Sequence, residues 1–123
     1  MIGTFIVDDE ADLRLLVRLA IERRNEGLFV AGEAAHGEEA LAQLDAVDPT
    51  VVVLDQMMPG MDGLETASHI LARRPGQLII LYSAFLDEKL EEQASRTGIT
   101  ACMRKGKVSE LADFVHQVAS GAP

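Results

Sequence analysis

Apolar residues follow two alternating rhythms along this chain. Five short, nearly continuous runs read as strands buried on both faces: Ile2 to Val7, Leu28 to Ala34, Thr50 to Leu54, Leu78 to Tyr82 and Ile99 to Met103. Helical spacing fills the intervals. Leu13, Leu16, Val17, Ala20 and Ile21 form one apolar stripe between Asp12 and Asn25, with Arg14, Arg18 and Glu22 on the other faces. Gly37 to Val47 carries Ala40, Leu41 and Leu44 and is closed by Pro49, and Asp62 to Arg73 carries Leu64, Ala67, Ile70 and Leu71 and is closed by Pro75-Gly76. A more polar helix is predicted over Asp87 to Thr97, ending at Gly98. Ser109 is the expected N-cap of a last helix carrying Leu111, Ala112, Val115 and Val118, with Gly121-Ala122-Pro123 stopping it. Strand and helix thus alternate five times, which predicts an α/β domain with a doubly wound parallel sheet and helices on both faces.

The length of 123 residues suits one domain, and neither repeat nor linker interrupts it. A net charge of -9 argues against binding nucleic acid or an anionic membrane. The first apolar run lacks a preceding basic segment and stops at Asp8, unlike a signal peptide, and no run approaches membrane-spanning length. Cys102 stands alone, which excludes an internal disulfide. A cytoplasmic domain is expected.

The chemistry gathers where the runs end. Ligands of doubly wound folds bind beyond the carboxyl ends of the strands, and Asp8, Asp9, Asp55 and Lys105 all fall there. Clustered carboxylates repel one another unless a cation compensates. Asp8-Asp9-Glu10 occupies the place where a phosphate-binding fold has a glycine-rich loop, so bare phosphate is disfavoured whereas Mg²⁺, a hard dication with oxygen ligands, is suited. Capping of the first helix is the competing reading of these acids. Asp55 precedes the turn-rich loop Gln56-Met57-Met58-Pro59-Gly60-Met61-Asp62-Gly63 and is a candidate nucleophile toward phosphorus. Lys105 supplies a cation and Ser83 a hydroxyl donor at the neighbouring strand ends.

Taken together, Val7-Asp8-Asp9-Glu10, Leu54-Asp55, Met58-Pro59-Gly60-Met61-Asp62-Gly63, Ser83-Ala84 and Lys105 resemble the response-regulator receiver domain, over essentially the whole chain. The resemblance implies a flavodoxin-like sheet in the order 2-1-3-4-5 and one receiver domain over residues 1–123, without an output domain. It implies phosphoryl transfer from a sensor histidine kinase or phosphotransfer protein to Asp55. It also implies Mg²⁺ held by Asp8, Asp9, Asp55 and the backbone carbonyl of Met57, with Ser83 and Lys105 contacting the phosphoryl group. The signal would pass to an output domain, a downstream protein or a second copy of the chain. Such a domain is a signalling element, not an enzyme with a diffusible substrate.

Three departures stand out. Cys102 occupies the position where the family usually has Tyr or Phe, so an aromatic switch is absent and a buried, inert cysteine is expected. Gly106 replaces the usual proline after the lysine, removing an X-Pro bond that fixes the turn. Met57 and Phe85, at positions bordering the path of hydrolytic water, cannot orient a water by hydrogen bonding, which implies slow self-dephosphorylation. Three other functions compete: a Mg²⁺-dependent phosphohydrolase with an aspartyl-phosphate intermediate, although Met57 stands where haloacid-dehalogenase-type enzymes have a second Asp; a flavin module of flavodoxin-like shape, although acids replace the phosphate loop after the first strand; and a pseudo-receiver that binds partners without phosphorylation. His36, His69 and His116 lack metal-ligand spacing and are expected at the surface or in caps.

Overall fold

Each apolar run forms a strand and each helical stretch a helix, in the order β1 (Ile2–Val7), α1 (Ala11–Arg24), β2 (Leu28–Ala34), α2 (Gly37–Val47), β3 (Val51–Leu54), α3 (Gly63–Arg73), β4 (Leu78–Ser83), α4 (Glu88–Thr97), β5 (Ala101–Arg104) and α5 (Val108–Ala119). The computed structural model describes residues 1–24 and 26–121, so Asn25 and the end of the predicted stop at Ala122-Pro123 lie outside the described residues. The strands are parallel and ordered β2-β1-β3-β4-β5. This is the flavodoxin-like order expected for a receiver.

Alternation along the strands divides the core into two halves. Phe5, Val7, Val52, Leu54, Ile79 and Leu81 face α2, α3 and α4, where they meet Ala40, Leu44, Ala67, Ile70 and Ala94. Ile6, Val53, Ile80 and Tyr82 face α1 and α5, where they meet Val17, Ile21, Leu111, Ala112 and Val115. The central strands are therefore apolar on both faces, which is why their sequence is continuous rather than alternating.

Several boundaries differ from those read in the sequence. Asp62 and Asp87 precede α3 and α4 as N-caps, their carboxylates accepting the N–H groups of Glu65 and Leu90. Thr50 lies before β3, and β4 runs one residue further than Tyr82 because Ser83 pairs with Arg104. Ile99 and Thr100 precede β5: the Ile99 N–H closes the end of α4 on Ala94 O, and the Thr100 N–H donates to Ile79 O just before the strand begins at Ala101. Ser109 is not the N-cap of α5. Val108 packs against the core and draws the helix start forward, leaving Lys107 at the cap without a side-chain bond and Ser109 exposed inside the first turn. In α1, Val17 and Ile21 are buried and Leu13 and Ala20 are packed beside them, but Leu16 sits at the edge of that arc, half exposed in a groove between α1 and α5.

Candidate functional site

Backbone pairing carries the chemical residues past the strand ends. The Asp8 N–H donates to Ala34 O at 3.1 Å, the Asp55 N–H to Val7 O at 3.0 Å, and the Lys105 N–H to Ser83 O at 2.8 Å. Each ladder thus extends one residue beyond its strand, and the three side chains emerge at one edge of the sheet. The loop after Asp55 is held equally closely. Gly63 donates to Gln56 O, Gln56 Oε1 accepts the Leu64 N–H, and a Cβ at residue 63 would stand 2.5 Å from Asp55 O, so only glycine fits there.

Lys105 Nζ lies 2.9 Å from Asp8 Oδ2, 3.3 Å from Asp55 Oδ2 and 3.5 Å from Glu10 Oε1. Asp8 and Asp55 are each only 4% exposed. Asp8, Asp9 and Asp55 offer one oxygen each within 4.8 Å of one another, an all-oxygen donor set that suits Mg²⁺. The helix-capping reading of these acids is compatible with the metal reading. Asp8 Oδ1 accepts the Glu10 N–H at 2.9 Å at the entrance to α1 while Oδ2 faces Lys105.

The electrostatics follow from this crowding. Burial and the neighbouring Asp8 charge raise the Asp55 pKa from 3.8 to about 6, against the opposing pull of Lys105 and the Met57 N–H. Burial acts against the Lys105 ammonium, but its hydrogen bonds and charge contacts with Asp8 and Asp55 outweigh this and leave its pKa above the usual lysine value. The cluster carries more negative charge than one lysine balances.

The remaining candidates fall around this edge. Ser83 is fully buried, and its hydroxyl donates to Phe85 O at 3.1 Å. The Met57 and Phe85 side chains are 64% and 76% exposed. Cys102 is partly buried rather than fully so, beside a cleft of 220 Å³ between α4 and β5, and burial together with Glu91 pushes its thiol pKa up. His36 is a cap: its Nδ1 accepts the Glu39 N–H at the start of α2. Arg104 donates to Leu86 O, which gives it a structural partner. Sequence reasoning missed two contacts, Glu10 with Lys105 and an Arg14 bond to the Asp8 carbonyl at 2.7 Å, with Arg14 in turn 3.6 Å from Glu33. Helical spacing placed Arg14 on a polar face of α1, and its position in the first turn lets the guanidinium reach back to the Asp8 carbonyl.

Comparison with known proteins agrees with the geometry. Residues 4–116 match the family model described as the response regulator receiver domain. The transcriptional regulatory protein PdtaR of Mycobacterium tuberculosis is 36% identical over 94% of this chain and 55% of its own length. The chemotaxis protein CheY of Listeria monocytogenes is 34% identical over 80% of this chain and 81% of its own length. A structure of the CheX-CheY-BeF3-Mg²⁺ complex from Borrelia burgdorferi superposes with a TM-score of 0.87 and 26% identity over 95% of this chain and 88% of that one. The chain spans about half the length of the regulators PdtaR, LiaR and NarL (55%, 58% and 54%). No described helix is long and apolar enough to cross a membrane. Receiver domains bind Mg²⁺ at an acidic pocket and interact with histidine kinases or phosphotransfer proteins, and an Asp cluster stands at that place here. With the model match covering most of its length, this chain belongs to the response regulator receiver domain family of two-component signalling.

Proposed function

We propose that the chain accepts a phosphoryl group on Asp55 from the phosphohistidine of a sensor histidine kinase or phosphotransfer protein, and relays that event to an output domain or downstream protein. The observation that carries this reading is Lys105 lying 2.9 Å from Asp8 and 3.3 Å from Asp55 at one sheet edge. A carboxylate oxygen of Asp55 forms the new bond to phosphorus. The phosphorus–nitrogen bond of the donor breaks, and the imidazole nitrogen leaves with its electron pair and takes up a proton. Lys105 holds the incoming oxygens by charge, and the buried Ser83 hydroxyl turns from Phe85 O to donate to one of them. Asp8, Asp9 and Asp55, with the Met57 carbonyl, would hold Mg²⁺, which supplies neutralisation of the phosphoryl charge. The Borrelia complex named for BeF3 and Mg²⁺ supports the same pairing of anion and metal.

Intact-mass measurement after treatment with a small-molecule phosphoryl donor and Mg²⁺ tests this directly. One stoichiometric phosphoryl adduct is expected. Rapid donor turnover without an adduct would favour the phosphohydrolase, and no reaction would favour a pseudo-receiver.

The exposed apolar pair Met57 and Phe85 further implies a long-lived adduct, because hydrolysis depends on a positioned water. Met57→Asn, which introduces an amide able to orient that water, is expected to shorten the adduct's lifetime severalfold. A lifetime equal to or longer than wild type would refute this role for position 57.

A further inference from the structure

Gly106 takes away the proline that commonly fixes the turn after the lysine, yet it brings back a backbone N–H. That N–H has a specific partner. The Tyr82 Oη accepts it at 3.2 Å and donates in return toward the Gly106 carbonyl at 3.4 Å. Tyr82 is 2% exposed, its ring packed in the core half beneath α1 and α5, so two locked torsions fix where the hydroxyl lies.

The consequence concerns Lys105. Its own N–H is held by Ser83 O at 2.8 Å, and the N–H of the next residue is held by Tyr82 Oη. Adjacent residues of β4 therefore grip successive N–H groups of the β5–α5 turn. The two peptide planes flanking the Lys105 Cα are both pinned, which sets the direction in which its side chain leaves toward Asp8 and Asp55. The far side of the turn offers no comparable hold, since α5 opens at Lys107 without a side-chain cap.

We propose that Tyr82 is a positioning residue for Lys105, acting through the Gly106 N–H in place of the missing proline. The assignment rests on the receiver reading of Lys105 as the cation that meets the phosphoryl group. Its effect falls on binding of the transferred group, whereas the acids that would hold Mg²⁺ are placed by β1 and β3 and meet Tyr82 only through Lys105.

Tyr82→Phe removes the hydroxyl and keeps the ring. Titration with the phosphoryl analogue beryllofluoride in saturating Mg²⁺ is expected to show about fivefold weaker binding, the weight of one neutral hydrogen bond. Titration with Mg²⁺ alone is expected to show no loss of affinity, because Lys105 shares Asp8 and Asp55 with the metal and a less firmly placed ammonium competes no better for them. Hydrogen exchange at the Gly106 amide, followed without Mg²⁺ or analogue, is expected to accelerate. Gly106→Ala keeps the N–H, and its added Cβ would meet only Arg104 O at 4.0 Å, so this variant is expected to bind the analogue like wild type. Unchanged analogue affinity in Tyr82→Phe, or equal loss of Mg²⁺ and analogue affinity, would overturn the assignment. A wild-type chain that fails to take up beryllofluoride with Mg²⁺ would instead overturn the receiver reading beneath it, and the exchange rate of Gly106 would still report whether the clamp exists.

Discussion

Asp55→Asn is expected to abolish the phosphoryl adduct and, in the absence of Mg²⁺, to make the chain more stable than wild type. The loss follows from the chemistry, because an amide oxygen is not a nucleophile toward phosphorus comparable to a carboxylate. The gain follows from burial. Asp55 is raised from 3.8 to about 6, first by desolvation and then by Asp8, so the folded chain holds a proton that the unfolded chain has already released. Between those two values the folded state binds more protons, and stability falls as pH rises. The difference amounts to roughly 3 kcal/mol once pH exceeds the folded value. A neutral amide at this position carries no such burden. Thermal or urea unfolding in chelator should show the variant ahead of wild type at about pH 7.5 and level with it below about pH 4. Adding Mg²⁺ should close or reverse the gap, since wild type gains a bound ligand and the variant loses a carboxylate that would hold it. A variant no more stable than wild type in chelator would refute the electrostatic account, and an adduct persisting in Asp55→Asn would refute the acceptor assignment.

That trade of stability for function was legible in the sequence at the level of residue type, but not of coupling. The runs ending at Asp8 and Asp55 were readable because strands buried on both faces carry no charge before the edge, so the first charge after each marks the functional rim. The fifth run was less direct, since the exposed Arg104 ends β5 and precedes Lys105. Helix starts were readable to within one residue where the side chain itself makes the cap, as at Asp62 and Asp87. The prediction failed at Ser109, where burial of Val108 decided the start of α5 and no local cap was used. Leu16 failed for a related reason, since spacing identifies an apolar arc but not how much of it the neighbouring helix covers. Contacts that depend on where a side chain turns were out of reach: Arg14 with the Asp8 carbonyl six residues back, and Tyr82 with Gly106 across two strands. The signal for the second lay in a negative fact. A glycine in place of proline creates a backbone donor, and the Tyr82 hydroxyl accepts from it.

Lys105→Met is expected to destabilise the Mg²⁺-free chain strongly near neutral pH, by about 3–5 kcal/mol, because it strips the counter-charge from two buried carboxylates while leaving them in place. Lys105 lies 2.9 Å from Asp8 and 3.3 Å from Asp55. Without it Asp55 loses the neighbour that pulls its pKa down, so its folded value stands further above the unfolded one. Stability of the variant should therefore fall as pH rises through the acid range and recover on acidification, approaching wild type below about pH 4. Wild type keeps its Lys105 contribution far into the alkaline range, since that lysine's pKa is itself raised in the fold. Millimolar Mg²⁺ should recover much of the lost stability at neutral pH by replacing one cation with another, although the variant would still bind beryllofluoride poorly for want of Lys105. Lys105→Arg, which restores charge with a different shape, should recover more stability than analogue binding. The decisive measurement is the double variant. If unbalanced carboxylates cause the loss, adding Asp55→Asn to Lys105→Met should rescue it, and the two changes should be non-additive by more than about 1 kcal/mol. Additive free energies, or a loss independent of pH and Mg²⁺, would mean that Lys105 stabilises the fold through packing of its aliphatic stem, and that the carboxylates at this edge do not depend on it for charge balance.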